Sequence, residues 1–491
     1  MAPASRGHHD DVLHLDATAQ ADLVRRGELS PLELVDRAIA AAEALNPSLN
    51  AVIHERYEQA RAEAASPDLP DGPFRGVPFV EKDLDGTAAG QPYHAGNRAL
   101  KEAGHVADVS AHLHDRFVAA GLVTIGRTNT PEFGLQPTTE SEAYGPAHNP
   151  WDLGRSPGGS SGGSAATVAA RITAMGHAGD GGGSIRIPAS VCGLVGLKPS
   201  RGRNSVGPQV GEAWAGLVAR LVVSRSVRDT AAILDAVSGP AVGDPYTAPP
   251  PARPFLDEVG ADPGALRIGV TTVSPDAAVV THPAVAEVVA ATARVLEGLG
   301  HAVDDSVPDG WDDPDVYGAL VGAFTTCYGA WVAADVDDVA AELGVPVGAE
   351  GFEDATWMLA EMGRAVTATQ YLAATEELSR FTRRLAGWWT GHDLLLTPVV
   401  PEPPFELGSF GPTPENPLNG LTRSTEIVPF TVPFNISGQP SISVPTGWTD
   451  TGLPIGVQLS AAYGREDLLL AVAAQLEAAL PWADRLPPTC A

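Results

Sequence analysis

The sequence predicts a layered α/β protein, and three observations predict it. Short apolar runs alternate with helix-like stretches along most of the chain, the pattern of a sheet with covering helices. The composition, 44% hydrophobic and 19% charged, is that of a soluble globular chain with a sizeable core. A length of 491 residues allows several domains or one large α/β domain.

The elements follow in order. Residues 16–26 read as a short helix ended by Gly27. Ser30-Pro31-Leu32-Glu33 is a capping box with proline at the first helical position. The helix it opens carries Leu32, Val35, Ile39 and Ala42 on one face, and Asn46-Pro47 is expected to end it before a strand at 51–53. A turn at 70–73 precedes a short strand at 77–80, with Lys82 at its end. Residues 111–120 read as helix, 122–125 as strand, and 126–134 as loop and helix start. Strand and helix alternate again at 266–270, 283–299 and 301–303. Residues 307–391 are helix-rich, with Trp331, Trp357 and Trp388 among aromatics expected to serve helix packing and a substrate wall. A Pro-rich loop at 398–417, core segments at 430–444, a last strand at 452–458 and an amphipathic helix from Glu466 to Leu480 complete the chain.

Several function classes are disfavoured. No unbroken apolar run of about 18 residues predicts a membrane span. The first ten residues show no apolar leader, so no signal peptide is expected. Cys192, Cys327 and Cys490 lie far apart, without metal-ligand spacing or a disulfide framework. A reducing cytoplasm is the expected compartment. The net charge of −29 argues against nucleic acid as a partner.

The chemistry concentrates between Ser156 and Arg186. Two glycine-packed serine turns, Gly158-Gly159-Ser160-Ser161-Gly162-Gly163 and Gly181-Gly182-Gly183-Ser184, flank an apolar segment at 165–175. Gly/Ser runs are commonly linkers, but a packable segment between the turns and a core-like run after them exclude that here. Glycines let several N–H groups converge on one point, an anion or oxyanion receptor. Ser184, at the end of such a nest, is placed as a nucleophile. A serine nucleophile needs a base, and a lysine serves once burial lowers its pKa. The chain has three lysines: Lys82 after a strand, Lys101 in a polar helical segment, and Lys198 after an apolar strand. Lys82 is the candidate base.

Taken together, these residues resemble the amidase signature family. The resemblance rests on the two serine motifs, Gly182-Gly183-Ser184-Ile185-Arg186, Cys192-Gly193-Leu194-Val195-Gly196-Leu197-Lys198-Pro199, and the upstream Pro78-x-x-x-Lys82-Asp83. Asn149-Pro150-Trp151-Asp152 and Phe434-Asn435-Ile436-Ser437-Gly438-Gln439 are similar to the 6-aminohexanoate cyclic-dimer hydrolases within that family. The resemblance implies a single domain over 1–491, with a signature core at about 72–203, a variable helical region at about 307–391, and a central mixed sheet covered by helices on both faces. It implies amide hydrolysis by Lys82, bridging Ser160 and nucleophile Ser184, with an oxyanion hole at Gly181, Gly182 and Gly183. Ser161, Asp180 and Arg186 are expected to hold the loops by hydrogen bonds, and Cys327 to line the substrate pocket. No cofactor or metal is implied. The expected partner is a small-molecule amide, with neither nucleic acid nor membrane, and a homodimer stays open. Aryl amides, esters and urethanes are alternative substrates, and an amidotransferase A-type subunit is the alternative of a different class. The sequence departs from the family where Gly179-Asp180-Gly181 replaces a usual Thr-Asp-Thr/Ile, and where Arg127 stands at a common lysine position.

Overall fold

A computed structural model describes residues 12–416 and 418–491. The N-terminal ten residues, read above for a leader, and Pro417 lie outside the described residues. Among the described residues thirteen strands follow one another: β1 (Val52–Glu55), β2 (Pro78–Lys82), β3 (Val123–Thr128), β4 (Glu140–Ser141), β5 (Gly145–Pro146), β6 (Met175–Asp180), β7 (Val195–Lys198), β8 (Ala219–Ser224), β9 (Arg267–Val270), β10 (Ala302–Asp304), β11 (Leu394–Pro398), β12 (Ser441–Trp448) and β13 (Pro454–Ala461). β4 and β5 form a separate ladder, and the other eleven form one sheet in the order β1-β3-β2-β6-β8-β7-β12-β13-β11-β9-β10. The sheet is mixed: β2 runs parallel to β3 and β6, whereas β8 is antiparallel to β6 and β7.

Helices cover both faces because successive strand residues point to opposite sides. Phe79 packs with Leu113 and Phe117 of the helix His112–Ala119, and its neighbour Val80 packs with Val35 and Ile39 of the helix Pro31–Leu49. The strands β2, β3, β6, β7 and β8 are buried at every position, as a two-sided cover requires. The α/β class and the mixed sheet are those expected.

Two boundaries differ from expectation. The helix after the Ser30–Glu33 capping box continues through Pro47 to Leu49 and ends on left-handed Asn50. Asn46 stabilises this end: its side chain accepts from the N–H groups of Ala51 and Val52. Arg127 and Thr128, read as loop, instead finish β3, where they pair with Glu81 and Lys82.

The helix-rich region holds the helices Pro314–Leu343, Asp354–Arg364 and Ala368–Trp388. The first is long and apolar enough to cross a membrane by length and composition. Its Leu320, Cys327 and Trp331 pack with Leu378 and Phe381 of the third helix, and its Val332 and Val336 with Leu359 of the second. This packing makes it one wall of the cavity described next.

Candidate active site

Lys82 ends β2, a strand flanked by β3 and β6, with 1% of its surface exposed. Its Nζ donates to Ser160 Oγ at 2.7 Å. Burial lowers its pKa to about 8, even though Asp85 and Asp180 pull the other way. Ser160 comes from the first glycine turn, where the backbone passes tightly under Thr138. A Cβ on Gly159 would lie 2.3 Å from the Thr138 carbonyl oxygen, so only glycine fits there. Ser161, the next residue, exchanges 3.3 Å hydrogen bonds with the N–H and C=O of Gly179 on β6. The first turn is thereby tied to the strand that leads into the second.

Asp180 is the post around which the second turn wraps. Its carboxylate accepts from the N–H of Gly183 at 2.8 Å, of Ile185 at 3.2 Å and from Asn435 Nδ2 at 2.8 Å. Arg186 Nε and Nη2 each reach it at 2.9 Å. Burial alone would raise this carboxyl, but the adjacent guanidinium and its hydrogen bonds hold it down at about 2. Arg186 is itself fully buried and continues to the Thr431 carbonyl, Gln458 Oε1 and Asn435 Oδ1. Buried pairs keep their value only when every lone pair and proton is matched, and this one is matched.

The geometry corrects one sequence expectation here. Gly183 donates its N–H to Asp180 and is therefore not free for an oxyanion. Among the described residues, the N–H groups of Gly181, Gly182 and Ser184 have no protein partner. Gly183 supplies conformation instead: its φ is +137°, and a Cβ there would lie 2.6 Å from Ile187 Cδ1. Thr431 Oγ1 donates to the Gly182 carbonyl at 2.6 Å, which fixes the turn from the other side.

Lys82, Ser160, Ser184, Gly181 and Gly182 all line one cavity of about 750 Å³. Its walls are apolar and aromatic, with Phe133, Leu135, Trp214, Tyr328, Trp331 and Val432. Trp214 stacks on Trp331 with ring centroids 5.9 Å apart and gives its indole N–H to Asp335. Burial pushes the Asp335 carboxyl up to about 7. Cys327 does not line this cavity, contrary to expectation. It is fully buried among Leu320, Phe381 and their neighbours, on the side of its helix turned away.

Asp85 and Arg220 escaped sequence reading, and Arg127 entered it only as a departure from the family pattern. Arg127, fully buried, donates to the carbonyls of Lys82 at 3.1 Å and Gly86 at 2.6 Å, and so holds the chain beside the lysine. Asp85 and Arg220 form an ion pair at 3.1 Å beside Lys82. Arginine and aspartate in β-rich segments carry no local signal of such a role; the scarcity of lysine pointed to Lys82 alone. Lys198, the third lysine, is buried at the end of β7 and donates to the Pro199 carbonyl.

Among the described residues one group, His54, Asp83 and His94, brings potential metal-ligand atoms within 4.8 Å of one another. The group fits a metal poorly. The Arg127 guanidinium already stands 3.5 Å from Asp83, and the Tyr144 hydroxyl lies between the two rings, 3.2 Å from His54 Nε2.

The fold and this pair of serine turns define an amide hydrolase. The family model described as Amidase matches residues 33–470, and the chain belongs to that family. It is 44% identical over 480 residues to the 6-aminohexanoate-cyclic-dimer hydrolase of Paenarthrobacter ureafaciens, covering 96% of each chain. A solved 6-aminohexanoate cyclic dimer hydrolase complexed with substrate superposes with a TM-score of 0.93 at 43% identity, over 98% of this chain and all of the other. A bacterial aryl acylamidase superposes with a TM-score of 0.87 at 28% identity, over 98% of this chain and 99% of the other.

Proposed function

We propose that the protein hydrolyses amides through an acyl-enzyme, with Ser184 as nucleophile, Ser160 as proton relay and Lys82 as base. The observation that carries this reading is the buried 2.7 Å contact between Lys82 and Ser160, opening on the cavity that also receives Ser184. Ser184 Oγ attacks the amide carbon as its proton passes to Ser160, whose own proton moves to Lys82 Nζ. The N–H groups of Gly181, Gly182 and Ser184 receive the oxyanion, leaving Asp180 and Arg186 to hold their geometry. As the C–N bond breaks, the relay runs backward and protonates the leaving amine. Water then cleaves the ester by the same relay, and Ser184 is restored.

The proposed substrate is 6-aminohexanoate cyclic dimer or a similarly neutral, compact amide, cleaved in the cytoplasm without cofactor. Two observations support it besides the relatives. The cavity wall is largely apolar and aromatic, as neutral ligands require. Its cations are Lys82, hydrogen-bonded to Ser160, and Arg220, paired with Asp85, whereas Asp108, Glu212, Asp335, Asp338 and Glu342 all line it. A substrate carboxylate would meet repulsion there. Aryl amides are the second reading, favoured by the stacked Trp214 and Trp331 and by the similarity to the aryl acylamidase.

A product screen on the cyclic dimer, linear oligomers, an anilide and a carbamate tests the substrate. Turnover of the cyclic dimer above the linear forms is expected. An untouched cyclic dimer beside a well-cleaved anilide would move the assignment to aryl amides. Ser184→Ala should abolish turnover of every substrate while leaving the unfolding temperature near that of the wild type. Near wild-type turnover in that variant would remove Ser184 from the mechanism.

A further inference from the structure

Asp85 stands three residues beyond Lys82 in the left-handed region, at φ +71°. That turn brings its carboxylate back toward the lysine: Oδ2 lies 3.9 Å from Nζ. The other oxygen, Oδ1, is 3.1 Å from Arg220 Nη2. Arg220 is on β8, paired in register with Gly179 of β6, and is 6% exposed. Its Nη1 is fixed on the Val206 carbonyl at 3.1 Å. Gly179 makes the arrangement sterically possible, since a Cβ there would lie 2.1 Å from Asp85 Oδ2. The glycine that departs from the family pattern therefore opens the space that this carboxylate fills.

The distances assign different duties to the two oxygens. At 3.9 Å, Asp85 is beyond hydrogen-bond reach of Nζ and acts on it through charge. At 3.1 Å, Arg220 takes part of that charge away. The other ionisable groups around Lys82 are already committed. Asp180 of β6 is paired with Arg186. Glu81 of β2 faces His114 and Arg127, and Asp83 faces Arg127. His177 of β6 is kept neutral by burial, which brings its pKa to about 3. The Tyr93 hydroxyl is neutral as well, because burial raises its pKa.

We propose that Asp85 and Arg220 form a charge-balancing pair that sets the protonation state of Lys82, Asp85 favouring the ammonium and Arg220 the free amine. Both are positioning residues and neither touches the reacting atoms. The inference rests on the reading of Lys82 as the base. It has a directional consequence: removing either member moves the lysine's titration, and the two removals move it in opposite senses. Asp85→Asn leaves Arg220 unopposed beside Nζ and drives the proton off. Arg220→Gln leaves Asp85 unopposed and holds the proton on.

The test follows two rates against pH in Asp85→Asn, Arg220→Gln, Arg220→Lys and wild type. One is kcat/KM on 6-aminohexanoate cyclic dimer. The other is inactivation by phenylmethanesulfonyl fluoride, which reads serine nucleophilicity without any amide substrate. The acidic limb should move down by about one pH unit in Asp85→Asn and up by about one unit in Arg220→Gln, with Arg220→Lys close to wild type. Lower rates on unmoved limbs, or limbs that move the same way in both variants, would overturn the proposal and leave the pair a purely structural role. Should Asp85→Asn fail to fold, the contrast between Arg220→Gln and Arg220→Lys decides alone. Lys82→Ala separates the two levels. If that variant keeps its activity the mechanism falls; if it is inactive while the limbs of the pair variants stay fixed, this inference alone falls.

Discussion

Lys82 does its proposed work through one property, a pKa brought down to about 8 by burial. The sign of its pH dependence follows. Below that value the lysine carries a proton and cannot take one from Ser160, so kcat/KM should fall about tenfold for each pH unit toward acid. Lys82→Ala should lose several orders of magnitude. Lys82→Arg should not restore activity, because a guanidinium keeps its proton at any working pH. A flat profile from pH 6 to 9, with chemistry limiting, would contradict the role. Asp180 makes a different prediction, about stability. Its folded pKa of about 2 lies below the ordinary 3.8, so the stability it contributes is complete above the ordinary value and is lost as pH falls through about 2. Asp180→Asn should therefore cost about 3–5 kcal/mol near neutrality, since Arg186 would be left buried without its counter-charge. Denaturant unfolding should show that difference shrinking toward pH 2. These roles were unequally legible. Ser160 and Ser184 announce themselves through glycines that are adjacent in sequence. Arg127 and Arg220 meet the lysine only across strand pairings, and no local pattern marks those.

At the level of elements, the two glycine turns depend on the strands and helices that carry them. β6 supplies Gly179 and Asp180, the helix Gly162–Ala169 follows Ser161, and Asn435 closes the site from the helix Val432–Ser437. Apolar character marked residues 165–175 and 430–444 as core but assigned neither these two helices nor β6. It could not say which side of a helix faces the substrate, and Cys327 shows why. The helix Pro314–Leu343 is apolar around much of its circumference, so its sequence gives no cavity-facing stripe. Tyr328, one position on, lines the cavity, whereas Cys327 turns into the helix packing. The same helix crosses its neighbour very closely at Gly329 and Gly363. A Cβ on Gly363 would lie 1.8 Å from the Gly329 carbonyl oxygen. Gly363→Ala must therefore push the two helices apart, at a cost of about 1–3 kcal/mol. Because Tyr328 and Trp331 ride on the displaced helix, KM should rise more than kcat falls. Unchanged stability and KM in that variant would contradict a tight crossing at these glycines.

For the whole molecule, the order of the sheet explains why one sequence stretch dominates its chemistry. β2, β6 and β7, all from residues 72–203, lie within one half of the sheet up to its middle strand β7, with β8 inserted between β6 and β7. The loops that leave these strands converge on one cavity, and the later helical region roofs it. The layered α/β class was legible from alternation and composition, and the mixed sheet with its helical cover from the resemblance to the amidase signature family. The strand order was not, because pairings such as β7 with β12 join segments far apart in the chain. The net charge of −29 is a property of the surface and says nothing of the chemistry proposed for the buried site. The most direct measurement on the mechanism is the identity of the acylated residue. Rapid acid quench during turnover of 6-aminohexanoate cyclic dimer or an anilide, followed by peptide mass mapping, should find the acyl group on Ser184. An acyl group on Ser160, or multiple turnovers with no acylated serine at any quench time, would contradict it.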